Sequence, residues 1–303
     1  MKIATYNVCN LYDPGTKISP DMDEVVSESF FTTRVTYFID QLRPLDIDII
    51  CFQEIGGELG LQKIAEALSY EVFFAKPNSR GIRMAVLYKK ELASKVHCES
   101  VSFGELRIPN IQTKGDTEGL APIAQRRDVL VVTYKEDDGR TTQVVTFHLK
   151  SLLPLYLEGE DTEHDLALET DASFRAMVYK MMELRALRAY AVEQKKKGVE
   201  LVLLGDFNDN HASGAFNIIK SSRADENFRL HDILATYAGD KTTHIHRGMR
   251  LTFDTLLVTG GMLERLVEAK VYNETLKDYS TLPQGAVEHE VESDHALVVG
   301  EFR

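Results

Sequence analysis

The chain of 303 residues carries 44% apolar and 27% charged side chains, a composition that excludes a disordered or fibrous protein. Thirty-five lysines and arginines against 47 aspartates and glutamates leave a formal charge of −12. A broad electrostatic grip on nucleic acid is therefore excluded, and a polyanion would need a local patch or a bound cation. No apolar run approaches the roughly 18 residues of a membrane span, and Met1 and Lys2 lead straight into a strand-like segment. The expectation is a cytoplasmic protein without membrane insertion. Cys9, Cys51 and Cys98 lack the paired spacing of a disulfide framework or zinc site and are expected to be reduced and buried.

With no solenoid repeat and no Gly/Ser/Pro-rich linker, residues 1–303 read as a single domain. In chain order, the expected elements open with a strand over 2–8 (KIATYNV) and a helix over 23–42, its apolar face formed by Phe38, Ile39 and Leu42 and its end set by Pro44. A strand over 47–54 (IDIICFQE), a helix over 58–69 and strands over 83–89, 128–134 and 143–150 come next. A long helix is expected over 172–197, with Phe174, Met177, Val178, Met181, Met182, Leu184 and Leu187 at helical spacing and Gly198 as its C-cap. Such a glycine ends a helix in the left-handed region, and the lysines before it suit the negative end of the helix dipole. Strands over 201–208, 253–258 and 295–302 complete the pattern. Runs apolar on both faces belong to covered sheets, so strands with interspersed helices indicate a layered α/β or α+β sandwich. Segments 104–126, 151–171 and 274–293 read as surface loops.

Polar residues fall at the ends of these apolar runs. Asn7, Glu54, His148, Asp206 and Asn208 lie at C-terminal ends, whereas Arg127, Asp254, Asp294 and His295 stand at starts. Their convergence requires the two groups of strands to run in opposite senses, hence mixed or antiparallel sheets. Four carboxylates gathered in one cleft repel one another unless a cation is present. Oxygen ligands without thiolate or multi-histidine spacing suit Mg2+ or Mn2+, and the two histidines add groups able to contact a phosphate oxygen or handle a proton.

TYNV with Asn7, CFQE with Glu54, TFHLKS with His148, LLGDFND with Asp206 and Asn208, FDTLLV with Asp254 and ESDHALV with Asp294 and His295 together resemble the signature blocks of the endonuclease/exonuclease/phosphatase superfamily, in that family's order. The resemblance implies an α+β fold, a four-layer α/β/β/α sandwich with two mixed β-sheets like that of deoxyribonuclease I, and is nearest to the bacterial nuclease-like members. It further implies that Glu54, helped by Asn7 and Asp294, holds the metal. Asp206 would orient or deprotonate the attacking water, and Asn208 would help position water and phosphate. His295, held by Asp254, would contact the phosphate oxygen that gains charge, and His148 another. Arg127 would face the phosphate, with Arg126 the alternative if the strand register shifts by one residue.

Glu54 is followed by Ile55-Gly56-Gly57, where the deoxyribonuclease I and exodeoxyribonuclease III branches carry a substrate-contacting arginine or lysine. Acidic residues crowd 158–171 (Glu158, Glu160, Asp161, Glu163, Asp165, Glu169 and Asp171) and would disfavour a long polyanion at the cleft. The HIHRGMR cluster, with His244, His246, Arg247 and Arg250, fits a substrate contact or a solvated loop and stays outside the core site. The expected function is divalent-metal-dependent phosphoester hydrolysis by direct water attack, as a phosphodiesterase or nuclease on DNA or RNA with no obligate protein partner. The alternatives are a phosphatase or sphingomyelinase-type hydrolase on a small phosphoester, and a non-catalytic phosphate-binding module.

Overall fold

A computed structural model describes residues 1–17, 24–102, 128–157, 166–220, 225–280, 282 and 290–303, with the backbone of 105–106 and 123–124. The elements are β1 (Lys2–Leu11), α1 (Glu28–Leu42), β2 (Ile49–Ile55), α2 (Leu59–Leu68), β3 (Tyr70–Phe74), β4 (Arg83–Lys89) and β5 (Val96–Val101). Then come β6 (Glu105–Leu106), β7 (Ile123–Ala124), β8 (Val129–Lys135), β9 (Thr141–His148), α3 (Leu166–Lys196), β10 (Glu200–Asp206) and α4 (Gly214–Lys220). The chain ends through β11 (His231–Asp232), β12 (His244–His246), β13 (Met249–Leu251), β14 (Asp254–Val258), α5 (Gly260–Arg265), β15 (Leu266–Tyr272) and β16 (Leu297–Phe302).

Two six-stranded sheets form the centre, ordered β15-β16-β1-β2-β4-β3 and β11-β14-β10-β9-β8-β5. Both are mixed, as expected: β1 runs parallel to β2 and antiparallel to β16, and β10 runs parallel to β9 and antiparallel to β14. Strand alternation gives each sheet two apolar faces. Ile3, Ile49, Val86 and Val298 meet Val132, Val144, Val202 and Leu256 between the sheets. Ala4, Tyr6, Phe52 and Leu87 face Phe31, Phe38, Leu61 and Ile64 of α1 and α2, while Val145, Phe147, Leu201 and Leu203 face Leu184, Leu187, Phe216 and Ile219 of α3 and α4. The layers are thus helix, sheet, sheet, helix.

Two helix boundaries and one helix face depart from the sequence reading. The first helix begins at Glu28, where the Ser27 hydroxyl accepts from the Phe30 amide, an N-cap bond that ends the preceding extended segment. The long helix begins at Leu166, inside the segment expected to be loop, so Glu169 and Asp171 are exposed helical residues; Glu158, Glu160, Asp161, Glu163 and Asp165 lie outside the described residues. Phe174 and Met177, expected in its apolar face, are 65% and 53% exposed, and the buried stripe runs instead through Ala176, Tyr179, Lys180, Glu183, Leu184 and Leu187. Gly198 does close this helix, with φ +80°. All three cysteines are free, but Cys98, on the edge strand β5, is only half-buried.

Gly205 has φ +144°, and a Cβ there would overlap the Phe147 carbonyl on the neighbouring strand. This glycine lets β10 lie against β9 just before Asp206. Gly205→Ala is expected to cost about 3 kcal/mol or more, among the largest single-residue losses. Urea denaturation checks this, and a loss below about 1 kcal/mol would contradict the close approach.

Candidate active site

The C-terminal ends of β1, β2, β9 and β10 meet the starts of β14 and β16 between the two sheets. Even-numbered residues of β10 face the intersheet core, so the alternation that buries Val202 and Leu204 also turns Asp206 inward. Asp206 pairs in register with His148 on one side and Asp254 on the other. On β1, the same alternation that turns Ile3 inward directs Thr5 and Asn7 into the cleft. Below the site, the Thr5 hydroxyl donates to Gln53 Oε1 at 3.1 Å and Gln53 Nε2 donates to Thr146 Oγ1 at 2.9 Å. This polar bridge joins the two sheets, and pairing satisfies the polar groups that its burial removes from water.

Glu54 reaches the same place by breaking the alternation. Between Phe52 and Ile55, β2 holds one residue more than its partner β4, and Glu54 has φ +62°. Such a bulge reverses the facing of the residues beyond it. The shift puts Ile55 into the helix-side core and leaves Glu54 at the cleft. β1 is irregular at the same level: Cys9 and Asn10 have φ +50° and +55°. The buried Arg34 holds this turn by donating to the carbonyls of Val8, Cys9 and Asn10 at 2.6, 2.8 and 3.0 Å.

Asp206 is the hub. Its Oδ2 accepts from Asn7 Nδ2 at 3.1 Å and Asn208 Nδ2 at 3.2 Å, and lies 3.4 Å from His148 Nε2 and 3.9 Å from His295 Nε2. Its Oδ1 accepts the Asn208 amide at 2.6 Å. Asn7 Nδ2 also donates to Glu54 Oε1 at 3.0 Å, while its Oδ1 accepts from the Cys9 amide. Asn7 therefore turns its nitrogen, not its oxygen, toward the carboxylates. His148 Nε2 is 3.6 Å from Glu54 Oε1. His295 Nδ1 donates to Asp254 Oδ2 at 2.7 Å, and Asp254 Oδ1 is buried without a hydrogen-bond partner among the described residues. That contact fixes the ring so that Nε2 points toward Asp206.

Asp294 lies on the other side of His295. It belongs to a group with His244 and His295, separate from the group of Glu54, His148 and Asp206. Both Asp294 and Glu54 act electrostatically on the Cys9 thiol, whose pKa is raised chiefly by burial and then by these two charges. Arg127, and its alternative Arg126, lie outside the described residues.

Several supports escaped the sequence reading. The Ser293 hydroxyl donates to the Asn7 carbonyl at 2.7 Å and accepts from the His295 amide at 3.0 Å. The Thr243 hydroxyl accepts from the amides of Phe253 and Asp254. From the HIHRGMR cluster, only His244 enters the site's surroundings. Its ring lies 4.7 Å from that of His295, and its Nδ1 donates to the Asp294 carbonyl at 2.9 Å. Burial and the charge on His295 lower its pKa. The adjacency of Ser293 to Asp294-His295 was the one available sequence signal; Thr243 is eleven residues from Asp254.

Burial is the main cause that pushes the Asp206 carboxyl up to about 7; the His295 charge opposes it, and Asp254 and Glu54 add to it. Burial disfavours the charged ring of His295, yet Asp254, Asp206 and Asp294 outweigh this and raise its pKa well above the usual value. Without a cation, folded Asp206 keeps a proton that the unfolded chain releases above its ordinary 3.8. This contribution to stability therefore falls as pH rises from the unfolded toward the folded pKa. In EDTA, the melting temperature of Asp206→Asn is expected to gain about 3 °C or more on wild type between about pH 5 and about pH 8. A difference that stays constant with pH would contradict it.

Residues 4–300 match the Endonuclease/Exonuclease/phosphatase family. No curated protein sequence matches the chain. Among solved structures, a 3′ phosphatase from Neisseria bound to a product DNA hairpin is 16% identical, with a TM-score of 0.57 over 100% of this chain and 99% of its own. An AP endonuclease from Archaeoglobus fulgidus is 17% identical over the same shares, with the same score of 0.57. A mannosyl-6-phosphatase from Bacteroides thetaiotaomicron is also 17% identical, with a TM-score of 0.57 over 100% of this chain and 99% of its own. At such identities the likeness shows a shared fold, and the order of layers and strands found here is that fold. Because the family match runs through nearly the whole sequence, the chain belongs to the Endonuclease/Exonuclease/phosphatase family.

Proposed function

We propose that the protein is a divalent-metal-dependent phosphoester hydrolase that cleaves by direct attack of water at phosphorus, most directly as a phosphodiesterase of the nuclease kind. The observation that carries this is the placement of Asp206 Oδ2 among Asn7, Asn208, His148 and the Asp254-paired His295. A carboxylate so placed accepts a proton from water, and Asn208 orients both the carboxylate and the incoming water. His295, kept charged by its carboxylate neighbours, donates from Nε2 to the phosphate oxygen that gains charge. Asp254 fixes the tautomer and stabilises that charge, and His148 contacts a second phosphate oxygen.

The donor set fits a hard divalent cation. Glu54, Asp206 and Asp254 bring carboxylates to one cleft with Asp294 beyond His295, Asp254 has an oxygen without a hydrogen-bond partner among the described residues, and no cysteine sulfur joins the two candidate ligand groups around Asp206. Glu54, with Asp294 and with Asn7 holding the Glu54 carboxylate, would hold Mg2+ or Mn2+. When bound, that ion neutralises phosphate oxygens and stabilises the departing one. Arg127 is proposed as a phosphate contact on its place in the sequence alone.

For the substrate, the similar solved structures include a 3′ phosphatase bound to a product DNA hairpin and a mannosyl-6-phosphatase. A nucleic acid end or short strand suits a chain with a net charge of −12 better than a long duplex. That acidity equally favours the second reading, a phosphatase on a small phosphoester. We take the chain to act as one domain because both sheets supply the site, and its free thiols agree with a reducing cytoplasm. Among the described residues no helix is long and apolar enough to cross a membrane.

Purified protein with Mg2+ or Mn2+ is expected to hydrolyse single-stranded DNA or RNA and a bis-aryl phosphate. Asp206→Asn and His295→Ala should each reduce kcat by at least about 100-fold, the scale of losing a general base or an oxyanion donor. Hydrolysis confined to phosphomonoesters would select the second reading. Inactivity of a metal-loaded preparation on diesters and monoesters alike would overturn the proposal.

A further inference from the structure

α3 turns two charged side chains into the interior. Lys180 and Glu183 are 1% and 8% exposed and stand three residues apart on the face that packs against the second sheet. Burying a charge costs several kcal/mol unless it is paired and hydrogen-bonded. A packing helix has no need of either residue, and breaking its own apolar pattern marks a place where another requirement prevails. We propose that Lys180 and Glu183 are positioning residues that hold the ends of β9 and β10 in the reactive arrangement, an inference that rests on the hydrolase reading above.

Their partners lie just past the two strands that carry His148 and Asp206. Lys180 Nζ donates to the Asn208 carbonyl at 2.8 Å and is 3.6 Å from Asp209 Oδ2. Glu183 Oε2 accepts from the Lys150 amide at 2.8 Å. Asn208 and Lys150 thus occupy equivalent places, each two residues beyond a member of the register pair Asp206 and His148. The strand ends are also stitched to each other: the Leu149 amide donates to the Asp206 carbonyl at 3.0 Å, and Asn208 Nδ2 donates to the Leu149 carbonyl at 3.1 Å. One helix therefore grips both halves of a joined pair.

The consequence for the reaction passes through the Asn208 backbone. Asn208 has φ +49°, a left-handed conformation that surrounding contacts must sustain. In that conformation its amide donates to Asp206 Oδ1 at 2.6 Å, and its side chain donates to Oδ2. Lys180 holds the carbonyl of the same residue. Removing the ammonium frees Asn208 to relax, and the Asp206 carboxylate loses the donors that aim it. Glu183 does the same for the turn after His148, through Lys150. Neither side chain is assigned a contact with substrate.

Lys180→Met and Glu183→Leu, with Met182→Ala as a control that removes neighbouring buried packing, are compared with wild type. The readouts are kcat and KM on a bis-aryl phosphate with Mg2+, melting temperature, and amide hydrogen exchange by mass spectrometry. For Lys180→Met we expect kcat to fall roughly 10- to 100-fold with KM within about twofold, the signature of a misaimed group rather than lost binding. Amides of 207–210 should exchange faster in that variant, and those of 149–152 in Glu183→Leu. Met182→Ala should lower the melting temperature while kcat stays within about twofold. Equal kcat losses in control and variants, or unaltered exchange at both strand ends, would overturn the proposal. If Lys180→Met fails to fold, Glu183→Leu carries the test by the same readouts. Wild-type inactivity on the diester would count against the hydrolase reading, and exchange at 149–152 and 207–210 would still decide whether the two residues hold the strand ends.

Discussion

Asp206 is 1% exposed and lies beside Asp254 on the neighbouring strand, within electrostatic reach of Glu54 on the other sheet, and most of the site arises from managing that charge. A buried carboxylate beside like charges is unfavourable unless hydrogen bonds and cations offset it. Here Asn7 and Asn208 supply amide donors, His295 supplies an adjacent charged ring, and a divalent ion fits the remaining deficit. The same unfavourable placement gives Asp206 a pKa within reach of neutrality, as the proton exchange with water proposed for it requires. The cost to stability and the capacity for chemistry have one physical origin.

Meeting that requirement means breaking the regularity of the strand ends. Left to simple alternation, Glu54 would face the helices with Phe52, and the bulge in β2 brings it to the cleft instead. β1 bends through Cys9 and Asn10 under the grip of Arg34, and the chain leaves β10 through Asn208 under the grip of Lys180. Left-handed residues other than glycine, such as Glu54, Cys9 and Asn208, cost of order 1 kcal/mol or more each and persist only where the surroundings fix them. Two buried cations, one from α1 and one from α3, provide that fixing from the outer layers. The layered sandwich thus serves as a rigid frame on both sides of a locally irregular seam.

Sequence alone disclosed the parts of this arrangement that depend on strand ends. Asn7, Glu54, His148, Asp206, Asn208, Asp254 and His295 stand out because each interrupts an apolar run at its end, and their mixed positions at starts and ends already required mixed sheets. Strands β5 and β15 were missed because they are sheet edges, with polar residues facing water and a weak apolar signal, whereas the edge strand β3 is a five-residue run, YEVFF, that directly follows a helix. Lys180 and Glu183 were missed for a different reason: in a helix rich in charge, nothing in the pattern separates a lysine that turns inward from one facing solvent. Ser293 and Thr243 act through single hydroxyls on distant backbone, so their partners exist only once the chain is folded. The misreading of Phe174 and Met177 has its root in the same ambiguity of an apolar stripe, since periodicity gives the spacing of a face but not which face the sheet covers.

The central claim is that the carboxylates at this seam require a divalent cation. Its most direct test is thermal unfolding of metal-stripped wild type and Glu54→Gln with increasing Mg2+ or Mn2+, with Mn2+ binding tracked in parallel by electron paramagnetic resonance. A ligand that binds only the folded state raises the melting temperature with its concentration. Wild type is expected to show a saturable rise and bound Mn2+, with most of both lost in Glu54→Gln. Equal responses in the two proteins, or no binding in either, would contradict the claim.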